Sequence, residues 1–127
     1  MSINTIRVIA ITAALAVGGA SVPAMAHHSF AMFDSQKNLT LDGTIKEFQW
    51  TNPHSWIQIV VKDSSGKAVE WSIEGGSPNG LARQGWTRNS LKPGDKAVVV
   101  THPLKDGTAG GSLVSVTVNG VAVGGKG

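Results

Sequence analysis

The sequence has no cysteine and no tyrosine among its 127 residues, and the lack of cysteine restricts what the protein can be. Without cysteine there is no disulfide, no zinc–thiolate site, no redox motif and no cysteine nucleophile. A domain of this size must then be held together by the burial of apolar side chains alone. The length suits one domain, because two domains with separate cores would need a longer chain.

Charge is also scarce. Charged residues make up 15% of the chain, and its lysines are scattered rather than clustered. The formal net charge is +3, and removal of Arg7 with a signal peptide leaves ten basic and eight acidic side chains, a net charge of +2. No basic stripe that would follow a phosphate backbone is present. We therefore expect no nucleic-acid partner.

The N-terminal segment has the features of a secretory signal peptide. Arg7 supplies a positive charge, an apolar run follows over residues 8–17, and Ala24-Met25-Ala26 has the small-x-small form that signal peptidase accepts. The apolar run is well short of the roughly 20 residues that span a bilayer. We expect cleavage after Ala26, export to the periplasm and no stable membrane span in the mature protein.

Short apolar segments separated by turn residues predict an all-β fold with one short helix. Three strands are followed by a helix that begins at Ser77-Pro78 and ends at Gly85, and two further strands come after it. This order matches an OB-fold, a five-stranded Greek-key barrel. A small open β-sandwich is the alternative.

The first strand is expected to bend. Its alternation places Leu41 and Ile45 on one face and then shifts by one residue before Phe48 and Trp50. A bend or bulge near Lys46 and Glu47 is therefore predicted, as expected where one strand contributes to both sides of a barrel.

The predicted organisation has four parts. They are a signal peptide over residues 1–26, an N-terminal arm over 27–38, an OB-like barrel over 39–120 and a flexible tail over 121–127. The tail is predicted from its many glycines.

No catalytic residue is predicted. The serines lie outside any nucleophile-elbow context. Glu70 and Glu74 alternate with apolar residues in the third strand and are expected to face solvent. The sequence therefore favours a non-enzymatic protein.

Four tryptophans in so small a domain suggest an aromatic ligand surface. OB-folds bind ligands across their central strands, and aromatic platforms support such binding. The candidate ligand- or partner-binding residues flank and form the turn after the first strand: Trp50, Asn52, His54 and Trp56. The competing interpretation is that the large rings fill the core.

The four histidines are His27, His28, His54 and His102. Cleavage after Ala26 would give His27 a free α-amine, and an amine next to an imidazole suits Cu(II). All four are candidate copper ligands, because a histidine from the barrel could complete a site resembling a histidine brace. The competing interpretation is that His54 and His102, which each adjoin a proline, bond turn carbonyls.

Several longer motifs resemble those of a family of small exported bacterial proteins that are catalogued as a domain of unknown function. The motifs cover nearly the whole mature chain and comprise HHSF at 27–30, EFQWTNPHSW at 47–56, EWSIEGGSP at 70–78, GW at 85–86, SLKPGD at 90–95 and HPL at 102–104. The resemblance implies bacterial export and a single domain, and it implies no activity.

Taken from the sequence, the leading hypothesis is an exported, non-enzymatic binding or accessory module for an unknown periplasmic protein or small ligand. The alternative is a periplasmic copper-binding protein that uses the His27 amine and imidazole with other histidines. A copper oxidase or monooxygenase built on the same brace is the third hypothesis.

Overall fold

The computed structural model describes residues 30–125, and its regular structure is mainly β-strand. The elements are a 3-10 turn at Phe30–Met32, β1 at Leu39–Gln49, β2 at Trp56–Lys62, β3 at Ala68–Glu74, α1 at Pro78–Arg83, β4 at Lys96–Pro103, β5 at Gly110–Val118 and β6 at Val121–Ala122. The predicted signal peptide and the two histidines that follow it lie outside the described residues. No helix formed by residues 30–125 is long and apolar enough to cross a membrane.

Five of these strands close into a barrel. β1 pairs with β2 and β4, β2 with β3, and β4 with β5, all antiparallel. A short parallel pairing between β3 and β5 joins the two ends of the sheet. The predicted OB-fold-like barrel is confirmed, and the closing pair rules out an open sandwich.

The predicted bend in β1 is present. Pairing with β2 shifts in register between Ile45 and Glu47, which confirms a bulge at Lys46. Two residues before Ile45, Gly43 lets β2 approach closely, because a Cβ at this position would lie 2.2 Å from the carbonyl oxygen of Val60. The bulge and the glycine together let β1 serve both sides of the barrel.

The helix also follows the prediction. Ser77 is the N-cap, and its Oγ accepts a hydrogen bond of 3.1 Å from the Gly80 amide. Gly85 follows the helix with φ at 88°, a conformation that favours glycine. Trp86 is only 5% exposed and contributes to one end of the core.

The barrel interior is a continuous apolar core. Its buried members are Leu41, Ile45, Ile57, Ile59, Ile73, Leu81, Trp86, Leu91, Ala97, Val99 and Val116. Full burial of a large aliphatic side chain contributes about 1.5–3 kcal/mol to stability. This burial replaces the disulfides that the chain cannot form.

The segment assigned to a tail from residue 121 packs on the barrel as far as it is described. Val121 and Ala122 form β6 beside β5, and the Val123 amide donates to the Val116 carbonyl over 2.9 Å. Gly124 lies so close to Trp86 that a Cβ there would come within 2.2 Å of the indole nitrogen. The described part of this segment therefore covers the end of the core that Trp86 occupies.

We predict that Gly43→Ala destabilises the barrel by about 1–3 kcal/mol, because the new Cβ would force apart the β1 and β2 backbones. The matched control is Gly76→Ala, whose Cβ would meet only Leu81, at 3.6 Å. Its free energy of unfolding should stay unchanged or rise by about 0.4–1 kcal/mol. Urea unfolding measures both values, and equal losses in the two variants would contradict the close approach of β1 and β2.

Candidate functional site

The turn between β1 and β2 is tied to the end of β3. The Thr51 Oγ donates to the His54 carbonyl over 2.9 Å and tightens the turn. The Ser55 amide donates to the Gly76 carbonyl over 2.9 Å, and the Gly75 amide donates to the Ser55 carbonyl over 2.8 Å. These backbone bonds hold His54 beside the last residue of β3.

That last residue is Glu74, and it pairs with His54. The Nδ1 atom of His54 contacts the Oε1 atom of Glu74. The imidazole side chain is 36% exposed, whereas the carboxylate side chain is only 8% exposed. A buried carboxylate is costly unless it has a hydrogen-bond partner, and His54 is that partner here.

The sequence analysis missed Glu74, since strand alternation predicted a solvated side chain. Glu74 does point out of the barrel, because its neighbour Ile73 is completely buried in the core. What differs is that other segments cover the outer surface at this point. No local pattern in the sequence signals that cover.

Glu70, on the same face of β3, is the contrasting case. It is exposed, as predicted, and accepts a hydrogen bond of 2.7 Å from the Lys46 ammonium. This bond, together with the negative charge of Glu70, raises the pKa of Lys46. The two glutamates of β3 therefore share a face and differ in burial and in partner.

A cavity of about 300 Å³ lies beside the pair of His54 and Glu74. Its lining includes Phe30, Phe33, Pro53, His54, Glu74 and Ser112. We call it the arm cavity, because the two phenylalanines come from the segment that precedes β1. Phe33 is buried, whereas Phe30 is 83% exposed and forms part of the rim.

The part of the N-terminal arm that the structure describes is fixed to the end of β4. Phe33 forms an isolated antiparallel bridge with Leu104. The Asp34 amide donates to the Pro103 carbonyl over 2.8 Å, and the Lys105 amide donates to the Met32 carbonyl over 3.0 Å. These bonds hold the arm against one side of the arm cavity.

His102 has a different environment from His54. Its Nδ1 lies 2.8 Å from the Lys37 carbonyl, and because a carbonyl can only accept, this nitrogen carries a proton. His102 and Glu74 both pair with Ser112, so they are two strand spacings apart, roughly 10 Å. His102 therefore bonds a backbone carbonyl, while His54 bonds a carboxylate.

Two of the four candidate ligand-binding residues lie beside Glu74, and the other two do not. Trp50 packs against the core and meets Phe48 edge to face at 5.7 Å. Asn52 is exposed in the turn, where its peptide bond to Pro53 is cis. Trp56 is half-buried and pairs with Glu74 across β2 and β3, so these two side chains leave the same face of the sheet. Trp56 and His54 thus lie with Glu74, and Trp50 lies with the core.

A larger groove of about 490 Å³ lies near Trp86 and β6. Of the described residues that line it, none is ionisable. The arm cavity is smaller but holds a buried carboxylate and an imidazole. We therefore take the arm cavity as the candidate site.

Residues 30–125 do not form a complete metal centre by themselves. No group of three or more histidine, aspartate or glutamate side chains in this range is arranged to hold a metal ion. His27 and His28, the other two candidate ligands, lie outside the described residues. A metal bound at the arm cavity would need donors from beyond this range in addition to His54.

Comparison with known proteins assigns the chain to a family and not to an activity. No curated protein and no solved structure matches it. A family model matches residues 14–114, a range that runs from the predicted apolar run to β5. The chain belongs to the family of unknown function DUF6152.

Proposed function

We propose that the protein is an exported, non-enzymatic binding module and that its ligand occupies the arm cavity. The observation that carries the proposal is the pairing of His54 with the buried Glu74 at the wall of this cavity. Ligand sites are typically concave, largely apolar and furnished with a few polar groups. The arm cavity combines two phenylalanines and a proline with one imidazole and one carboxylate.

A specific observation favours copper as the ligand. Phe30 borders the arm cavity, and His27 precedes it by three residues. Three residues of extended chain span at most about 10 Å. After cleavage behind Ala26, an amine and an imidazole would therefore lie within chain reach of His54.

Such donors suit Cu(II). An α-amine and the imidazole of the same residue can chelate one ion, and nitrogen donors of this kind favour Cu(II). In this proposal His27 supplies both donors, His54 supplies a further imidazole, and His28 is available beside them. His102 has no role in the proposed site, because it is not among the residues that line the arm cavity.

We predict that the exported protein begins at His27. The small residues Ala24 and Ala26 precede this position, as signal peptidase requires. Intact-mass analysis of protein recovered from the periplasm of a Gram-negative host measures the start residue. A precursor mass, or a start at any other residue, would contradict the proposed address and remove the free amine of His27.

We predict that protein extracted from the periplasm without denaturation carries a bound species visible by native mass spectrometry. The double variant His54→Ala, Glu74→Gln should lose that species, because both ionisable groups of the arm cavity change. The control is His102→Ala, which leaves the cavity lining intact and should retain the species. Retention by the double variant would place the ligand elsewhere on the molecule.

We predict one stoichiometric Cu(II) site in metal-free mature protein that begins at His27. Protein whose N-terminal amine is acetylated should bind at least about tenfold more weakly, because acetylation converts the His27 amine into an amide that is a poor donor. His54→Ala should weaken binding similarly, and His102→Ala should not. Titration against a competing chelator measures these affinities.

The titration also separates the two ligand classes. Equal affinity with a free and with an acetylated N-terminal amine would contradict the amine as a copper donor. Absence of any tight site in the mature protein would contradict copper as the ligand. The species seen by native mass spectrometry would then be a small organic ligand or a partner protein.

A further inference from the structure

Glu74 differs from Glu70 on the same outer face of the barrel, and it is not among the proposed copper donors. Its side chain is 8% exposed and contacts the Nδ1 atom of His54. Glu70, four residues earlier on the same face, is exposed and pairs with Lys46 instead. Glu74 is therefore placed against the imidazole rather than against solvent.

The contact between Glu74 and His54 determines where the imidazole proton lies. An ionised carboxylate can only accept hydrogen bonds, so Nδ1 of His54 must carry the proton that is shared with Glu74. A neutral imidazole has one N–H, which leaves a lone pair on Nε2. Among residues 30–125, Nε2 has no hydrogen-bond partner.

We propose that Glu74 is a positioning residue, which fixes the tautomer and orientation of His54 so that Nε2 is the atom that binds the ligand in the arm cavity. Metal-bound histidines commonly donate their second ring nitrogen to a carboxylate in this way. The inference rests on the proposed function only in naming Cu(II) as the ion that binds to Nε2. The tautomer itself is a property of the metal-free protein.

The position of Glu74 in the fold supports this role. As the last residue of β3 it pairs with Trp56 of β2 on one side and with Ser112 of β5 on the other. Its backbone is therefore held by a strand on each side, which fixes the position from which the side chain extends. The carboxylate is also the more buried partner, at 8% exposure against 36% for the imidazole, so we take Glu74 as the group that orients His54.

The first test measures the tautomer of His54 in metal-free mature protein by long-range ¹H–¹⁵N NMR at about pH 8, where a peptide histidine is neutral. Nδ1 should give a protonated, pyrrole-like shift and Nε2 an unprotonated, pyridine-like shift. Glu74→Leu replaces the carboxylate with an apolar side chain of similar size. In this variant the preference of His54 for the Nδ1–H form should be lost. The matched control is Glu70→Leu, which alters an exposed carboxylate of the same strand and should leave the His54 shifts unchanged.

Two results would overturn the proposal at this stage. One is a wild-type His54 with a pyridine-like Nδ1, or with both ring nitrogens protonated. The other is a Glu74→Leu variant whose His54 tautomer is the same as in the wild type. The amide spectrum of each variant shows whether the barrel has folded, and Glu74→Gln provides a second variant of nearly equal volume if the leucine variant does not fold.

The second test measures Cu(II) affinity in the same proteins. Loss of an outer carboxylate that orients a ligating histidine lowers metal affinity by about 10–100-fold. We expect this loss for Glu74→Leu and none for Glu70→Leu. An unchanged affinity in Glu74→Leu would contradict positioning by Glu74.

The two tests fail independently. If the mature wild type binds no Cu(II) and His54 still shows the Nδ1–H tautomer that depends on Glu74, the copper function is refuted and the positioning role is supported. If copper binds tightly and the tautomer does not depend on Glu74, the copper function is supported and the positioning role is refuted.

Discussion

The barrel depends on the short parallel pairing between β3 and β5, where Ser72 to Glu74 meet Gly110 to Ser112. Without it the sheet would keep two open edges, and no disulfide is available to hold them together. Glycine on β5 favours this contact, since a Cβ at Gly110 would lie 3.2 Å from the carbonyl oxygen of Ser72 on β3. The same pairing places Glu74 beside Ser112 on the outer surface, so closure of the core also builds one wall of the arm cavity.

Three separate segments then meet at that wall. The turn after β1 brings His54, the end of β3 brings Glu74, and the arm before β1 brings Phe33. A carboxylate covered by apolar groups is tolerated only with a partner, so the pair of His54 and Glu74 and its apolar cover stabilise each other. The fold and the candidate site are therefore parts of one arrangement.

The sequence pattern was sufficient to predict features of the fold that depend only on residues close together in the chain. The bulge at Lys46 follows from a shift in alternation, and the helix start follows from Ser77 and Pro78. The same alternation placed Glu74 on the outer face, which is where it lies, but burial on an outer face depends on which distant segment covers it. That cover is a tertiary contact, and strand periodicity carries no information about it.

If the chain is exported as proposed, the copper site depends directly on removal of the signal peptide. An α-amine at His27 exists only after the peptide bond to Ala26 is cut, and before that step the nitrogen is an amide. Under the proposed function, the unprocessed chain could not complete the copper site, whereas His54 and Glu74 would already be paired as soon as the barrel closed. Folding alone would thus bring His54 and Glu74 together. The His27 amine would become available as a donor only where the signal peptide is removed.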